Sequence, residues 1–105
     1  MFLALLAPVY VMAPAGRAAR AQNDSSELAE AERLYGQALK LYGEGRYDEA
    51  IRLSERALSI RERLLGLFDL RVAESLHNLG MLYREKGDYV RAEPLYLRAL
   101  SIRER

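Results

Sequence analysis

Eight residues occur twice in this chain, as RALSIRER at 56–63 and again as RALSIRER at 98–105, an interval of 42 residues. Other positions repeat at the same interval, in the pairs Gly45 and Gly87, Tyr47 and Tyr89, Ala50 and Ala92, and Leu53 and Leu95. A fixed period of this length is typical of stacked supersecondary units. The sequence therefore predicts one structural unit that is built twice.

Each unit contains two helical segments with a glycine turn between them. In the second unit, apolar residues recur at steps of three and four as far as Tyr83, stop at Gly87-Asp88, and resume at Ala92. The first unit has the same break at 43–45. Small residues stand where two helices must approach closely, at Ala38, Ala50, Ala57, Gly80, Ala92 and Ala99. This pattern predicts antiparallel helix hairpins.

The composition bounds what such a protein can do. The 105 residues leave room for one small domain, and the net charge of +1 offers no field that would attract nucleic acid. There is no cysteine, which excludes disulfides and thiolate metal sites, and His77 is the single histidine. We therefore expect no metal, no cofactor and no nucleic-acid partner.

The first 21 residues differ from the rest of the chain. MFLALLAPVYVMAPA at 1–15 is apolar, and Ala19-Arg20-Ala21 follows as a cleavage pattern, so 1–21 is predicted to be a secretory signal peptide, although it lacks a basic start. An uncleaved anchor and a hydrophobic helix docked on the domain are the alternatives. Cleavage predicts an exported protein, periplasmic or secreted, without a membrane span. Residues 22–30 then form a short linker and the start of the first helix near Ser25, where Asp24 to Glu27 matches a capping pattern.

Three stretches of the second unit resemble a known family. They are Ser75-Leu76-His77-Asn78-Leu79-Gly80, Leu82-Tyr83 and Ala92-Glu93-Pro94-Leu95-Tyr96, and they are similar to the tetratricopeptide repeat in the longer form of kinesin light chain and its bacterial relatives. The resemblance covers about 31–105, in repeats of about 31–72 and 73–105. It implies an all-α fold, a right-handed α-solenoid of two antiparallel helix hairpins, and a noncatalytic bacterial module that binds a protein or peptide.

The first helix of each hairpin lines a concave groove in such stacks. Helical spacing then predicts a groove stripe of Glu32, Tyr35, Leu39, Tyr42, Glu74, His77, Met81 and Arg84, which suits an extended or helical peptide. By resemblance, Asn78 would hydrogen-bond the main chain of that peptide. Arg84 would pair with a carboxylate of the ligand. The alternatives are a solvated His77, packed tyrosines, and a solvated helix end at Arg61-Glu62-Arg63.

Features of an enzyme are missing. A serine nucleophile needs a base within reach, but the single histidine lies on a helix face without the glycine turn of a nucleophile motif. No glycine-rich phosphate loop occurs. Two other hypotheses remain: the regulatory or scaffold end of a longer enzyme or receptor, and a self-assembling structural piece. Two repeats are few for a continuous core, so either the stack continues in a longer chain or a C-terminal apolar edge pairs with another copy. That edge would contain Leu95, Leu97, Leu100 and Ile102.

Overall fold

Four helices make up the computed structural model, which describes the backbone of residues 7–105 and the side chains of residues 16–105. They are α1 (Ala7–Gly43), α2 (Tyr47–Leu65), α3 (Leu70–Glu85) and α4 (Tyr89–Arg103). The described residues contain no strand. We call α1 with α2 hairpin 1, and α3 with α4 hairpin 2. The predicted all-α fold of two helix hairpins is confirmed.

The first helix begins earlier than its capping pattern predicted. α1 runs unbroken through 22–26, so a linker there and a helix start near Ser25 are both wrong. The physical reason is that no glycine or proline lies between Gly16 and Gly36, so nothing interrupts the backbone hydrogen bonds at the predicted cap. Residues 1–6 of the predicted signal peptide lie outside the described residues, and its cleavage stays a prediction. No helix in the described part of the chain combines the length and apolar content needed to cross a membrane.

The two hairpin turns have the same backbone geometry. Gly45 and Gly87 adopt positive φ angles of 76° and 81°. In each turn the residue after the glycine donates its backbone N–H to a carbonyl five residues earlier: Arg46 to Leu41 at 2.9 Å and Asp88 to Tyr83 at 2.8 Å. This closure satisfies carbonyls that the helix end leaves open, and it requires a residue that tolerates the left-handed region.

We expect opposite effects from alanine at two glycines. Gly87→Ala should lower the free energy of unfolding by about 1–2 kcal/mol, because a side chain disfavours the left-handed region. Gly36→Ala should raise it by about 0.5–1 kcal/mol, because Gly36 lies inside α1 and a Cβ there meets no atom within 4 Å. Denaturant unfolding of the two variants checks both signs. Equal effects would contradict the assigned turn.

Small residues bring the paired helices together. The five alanines predicted at close approaches are all buried, from 0 to 3% exposed. Gly80 of α3 is the sixth such position, and the ring of Tyr96 of α4 comes within 3.1 Å of the point that a Cβ would occupy. Pro94 lies inside α4, which continues through it to Arg103.

The hairpins stack through α2 and α3. Ile51 and Leu58 of α2 join Val72, Leu76 and Leu79 of α3 in one buried cluster. Side-chain hydrogen bonds between the two antiparallel helices flank this cluster. Lys86 donates to Asp48 at one end, and Arg61 donates to Ser75 near the other. The boundary between the hairpins falls at 66–69, so α3 begins three residues before the predicted repeat start at 73. Asp69 caps α3, and its carboxylate accepts the Arg71 backbone N–H at 2.8 Å.

Candidate functional site

Four predicted groove residues lie along one side of α3. Glu74 and Arg84 are half exposed, at 51% and 52% of their side chains, while His77 and Met81 are partly buried between them. Leu76, Leu79 and Leu82 point to the opposite side and are buried. The spacing of three and four residues therefore leaves one continuous accessible strip on α3.

The predicted residues of α1 form a second strip. Glu32 and Leu39 are exposed, and Tyr35 and Tyr42 are partly buried. Burial raises the pKa of the Tyr35 phenol, and the negative charge of Glu74 adds to that rise. Arg61 lies over the Tyr35 ring and 3.5 Å from Glu74, so the two strips approach each other there. The ring of Tyr42 packs at 5.9 Å from the ring of Tyr47. We call the strips on α1 and α3 together the groove face.

A pocket of about 440 Å³ lies at one end of the groove face. It brings together Glu32 of α1 and Glu74 of α3, which are neighbours only in the folded chain. Its other lining residues are Ser25, Leu28, Ala29, Arg61, Leu65 and Arg71. Carboxylates and guanidinium groups thus face the same space, so this end of the groove face is polar.

Arg61 is a site residue that the sequence analysis missed. It was interpreted as part of a solvated helix end, but it is 5% exposed. Its Nη1 donates to the Arg71 carbonyl at 3.0 Å and to Ser75 Oγ at 2.9 Å, and lies 3.5 Å from Glu74. The guanidinium also lies over the Tyr35 ring, 4.8 Å from its centre. Arg61 therefore fixes the spacing between the strips.

Asn78 does not lie on the groove face. Its side chain is 1% exposed, and its Nδ2 donates to Ser54 Oγ of α2 at 2.9 Å. The predicted placement of Asn78 in the groove is therefore wrong, and its hydrogen bond to a bound peptide stays a prediction. The physical reason is helical geometry, since Asn78 follows His77 by about 100° around the helix and points at α2. Ser54, which accepts the hydrogen bond from Asn78 Nδ2, is likewise buried at 1%.

His77 is the titratable group at the centre of the α3 strip. Its ring meets the Tyr96 ring edge-on at 5.3 Å between centres. Burial lowers the pKa of His77 below its usual 6.5, and the positive charges of Arg103 and Arg84 lower it further. The neutral imidazole of His77 is therefore the favoured form on the groove face at neutral pH.

This environment predicts a pH dependence of stability. Because the folded state binds the His77 proton less readily than the unfolded chain, stability should fall as the pH drops from about 6.5 and level off below the folded pKa. His77→Gln should flatten the curve over pH 6.5–5, above the range in which carboxylates titrate. Denaturant unfolding across this range is the measurement, and an unchanged slope in the variant would contradict the assignment.

One comparison with known protein families found a match. The tetratricopeptide repeat family model matches residues 41–105, which is more than half of the chain. The chain belongs to the tetratricopeptide repeat family. The match spans α2 and all of hairpin 2, the elements that hold Arg61, Asn78 and the α3 strip. A comparison with curated proteins gave no significant match.

Membership in the tetratricopeptide repeat family implies a protein–protein interaction module. The groove face presents aromatic, aliphatic and charged groups at the surface of α1 and α3. Within the described residues, no group of three or more potential ligands is arranged to hold a metal ion.

Proposed function

We propose that this protein is a noncatalytic module that binds a peptide segment of another protein on the groove face. The observation that carries the proposal is the pair of accessible strips on α1 and α3, held apart by buried Arg61. Tyrosine and methionine side chains supply apolar contact area, and the charged residues supply direction. Because α1 and α3 both pack against α2, the two strips are held in place before a ligand binds. This preorganisation lowers the entropy cost of binding.

Charge along the α3 strip favours one orientation of the peptide. Glu74 shares the polar pocket with Glu32, whereas Arg84 lies at the opposite end of the strip. A basic residue of the ligand suits the Glu74 end, and a carboxylate or an acidic residue suits Arg84. We infer a ligand with opposite charges at the two ends of an apolar or aromatic centre.

Peptides selected by display against the 105-residue chain test the proposal. Arg84→Glu and Met81→Glu should each weaken binding by about 10-fold or more, because each removes one contact and adds a repulsive or desolvated charge. Arg52→Glu is the matched control, since Arg52 is exposed on α2 and outside the groove face. Selected peptides that bind the two groove variants as tightly as the control would overturn the proposal.

The proposal that the protein is exported rests on a separate observation. The signal pattern at 1–21 supports a periplasmic or secreted protein, and the mass of the protein recovered outside the cytoplasm would test it. A mature chain that begins at Gln22 is the expected result, and intact protein that begins at Met1 would contradict cleavage. This test is independent of the groove face.

A further inference from the structure

One face of α4 is apolar and uncovered. Leu97 and Leu100 are 57% and 51% exposed, and Tyr89 lies on the same side of the helix. A pocket of about 300 Å³ adjoins them, lined by Arg84, Tyr89, Ala92, Glu93, Tyr96 and Leu97. The predicted apolar edge is narrower than the sequence suggested, because Ile102 is 4% exposed and Leu95 packs against the core.

The internal repeat shows that the equivalent face of α2 is an interface. Leu58 occupies in α2 the place that Leu100 occupies in α4, within the identical octapeptides. Leu58 is 8% exposed because α3 covers it, whereas Leu100 has no covering helix among the described residues. The α4 face therefore corresponds to a helix-covered surface of α2, and none of the described residues covers it.

The exposed surface of α1, at the opposite end of the stack, is polar and does not complement the apolar face of α4. On α1, the positions one repeat before Ser75, Leu79 and Leu82 of α3 are Arg33, Gln37 and Lys40, and all three are exposed. Arg33 forms an ion pair with Glu30 at 2.6 Å on that side. A second copy could not place this polar surface on Leu97 and Leu100 without burying charge, so head-to-tail stacking is disfavoured.

We propose that two copies of this chain associate through α4, in antiparallel orientation about a two-fold axis. Placing Leu97 against Leu100 of the partner subunit buries both leucines of each copy. Glu93 then lies within about 1.5 Å, along the helix axis, of the level of Arg103 of the partner subunit. Glu93 and Arg103 are both exposed, and neither takes part in an ion pair among the described residues. The chain's net charge of +1 opposes association only weakly.

The apolar part of the interface is tested by the oligomeric state. Sedimentation equilibrium of the 105-residue chain should give a dimer, and the double variant Leu97→Glu with Leu100→Glu should raise the dissociation constant at least about 100-fold. Because both leucines are exposed in the single chain, helix content should be retained in circular dichroism. Leu70→Glu is the matched control, since Leu70 is 67% exposed on α3 and outside this face. A monomer, or an oligomer that the double variant leaves unchanged, overturns the proposal.

Charge exchange tests the antiparallel orientation. Glu93→Arg and Arg103→Glu should each raise the dimer dissociation constant about 5- to 30-fold, because each change affects two symmetry-related pairs. The combined variant should return to within a few fold of the original constant. Additive weakening in the combined variant would overturn the orientation. The measurement needs no peptide ligand, so it can succeed or fail independently of the groove function.

Discussion

Arg61→Ala should lower the free energy of unfolding by about 2–4 kcal/mol, because it removes two hydrogen bonds from a buried guanidinium and leaves the Arg71 carbonyl and Ser75 Oγ without this donor. Loss of the packed aliphatic stem and of the contact with Tyr35 adds to the effect. Glu74 contributes little of this change, since its side chain is 51% exposed and water compensates its charge.

Arg103→Ala is the matched control for this prediction. Arg103 occupies the same place in the second RALSIRER octapeptide, but it is exposed at the end of α4. Its replacement should leave the unfolding free energy unchanged within error when the titration is made at protein concentrations below the dimer dissociation constant, where the chain is monomeric. Arg61→Met should recover part of the loss, because it keeps an apolar stem without the hydrogen bonds. Guanidinium titration of the three variants is the measurement, and equal effects at the two arginines would contradict the assigned roles.

The contrast between these arginines shows what the sequence could not predict. The period and the glycine turns are local patterns, and they were sufficient for the helices, hairpins and close-packed alanines. Burial of Arg61 depends on α3, which is brought to it by folding and not by its own octapeptide. A signal was nevertheless present, since Ser54, Ala57 and Arg61 follow helical spacing on one side of α2.

The position of Asn78 was missed for a different reason. The family resemblance identified the motif around His77-Asn78, but it did not establish which of the two adjacent side chains faces the groove. Helical spacing from buried Ser75 and Leu82 places Asn78 on the interior side, and the structure agrees. The strip of Glu74, His77, Met81 and Arg84 depended on spacing alone, and the structure does place those residues on one accessible side.

The start of α1 was predicted wrongly because a capping pattern allows a helix to begin but does not require it to begin there. A side-chain oxygen followed by glutamate stabilises a helix start, but the same residues are tolerated inside a helix when the preceding chain can also form one. Alanine and glutamine precede the predicted cap, and α1 continues through it. Capping patterns are therefore weaker than glycine turns, where positive φ requires the chain to change direction.

Asn78→Asp should be strongly destabilising at neutral pH, by about 3–4 kcal/mol. The substitution keeps the shape of the side chain but replaces the Nδ2 donor to Ser54 by a carboxylate in a site that is 1% exposed. Burial disfavours the charged form and should raise the pKa of the new carboxyl above that of an exposed aspartate, and the cost of the buried charge accounts for the stated loss. Asn23→Asp is the matched control, because Asn23 is exposed on α1.

The sign of the pH dependence separates this explanation from simple loss of a hydrogen bond. Since the folded state holds the proton of the new carboxyl more tightly than the unfolded chain does, the stability deficit should shrink as the pH falls from 7 towards 4. A lost hydrogen bond alone would give a deficit that is independent of pH. Unfolding free energies of Asn78→Asp relative to the original chain, measured from pH 7 to pH 4, therefore test whether Asn78 is buried between α2 and α3. A negligible difference would contradict the burial of Asn78, and a pH-independent deficit would contradict a buried charge and leave only the lost hydrogen bond.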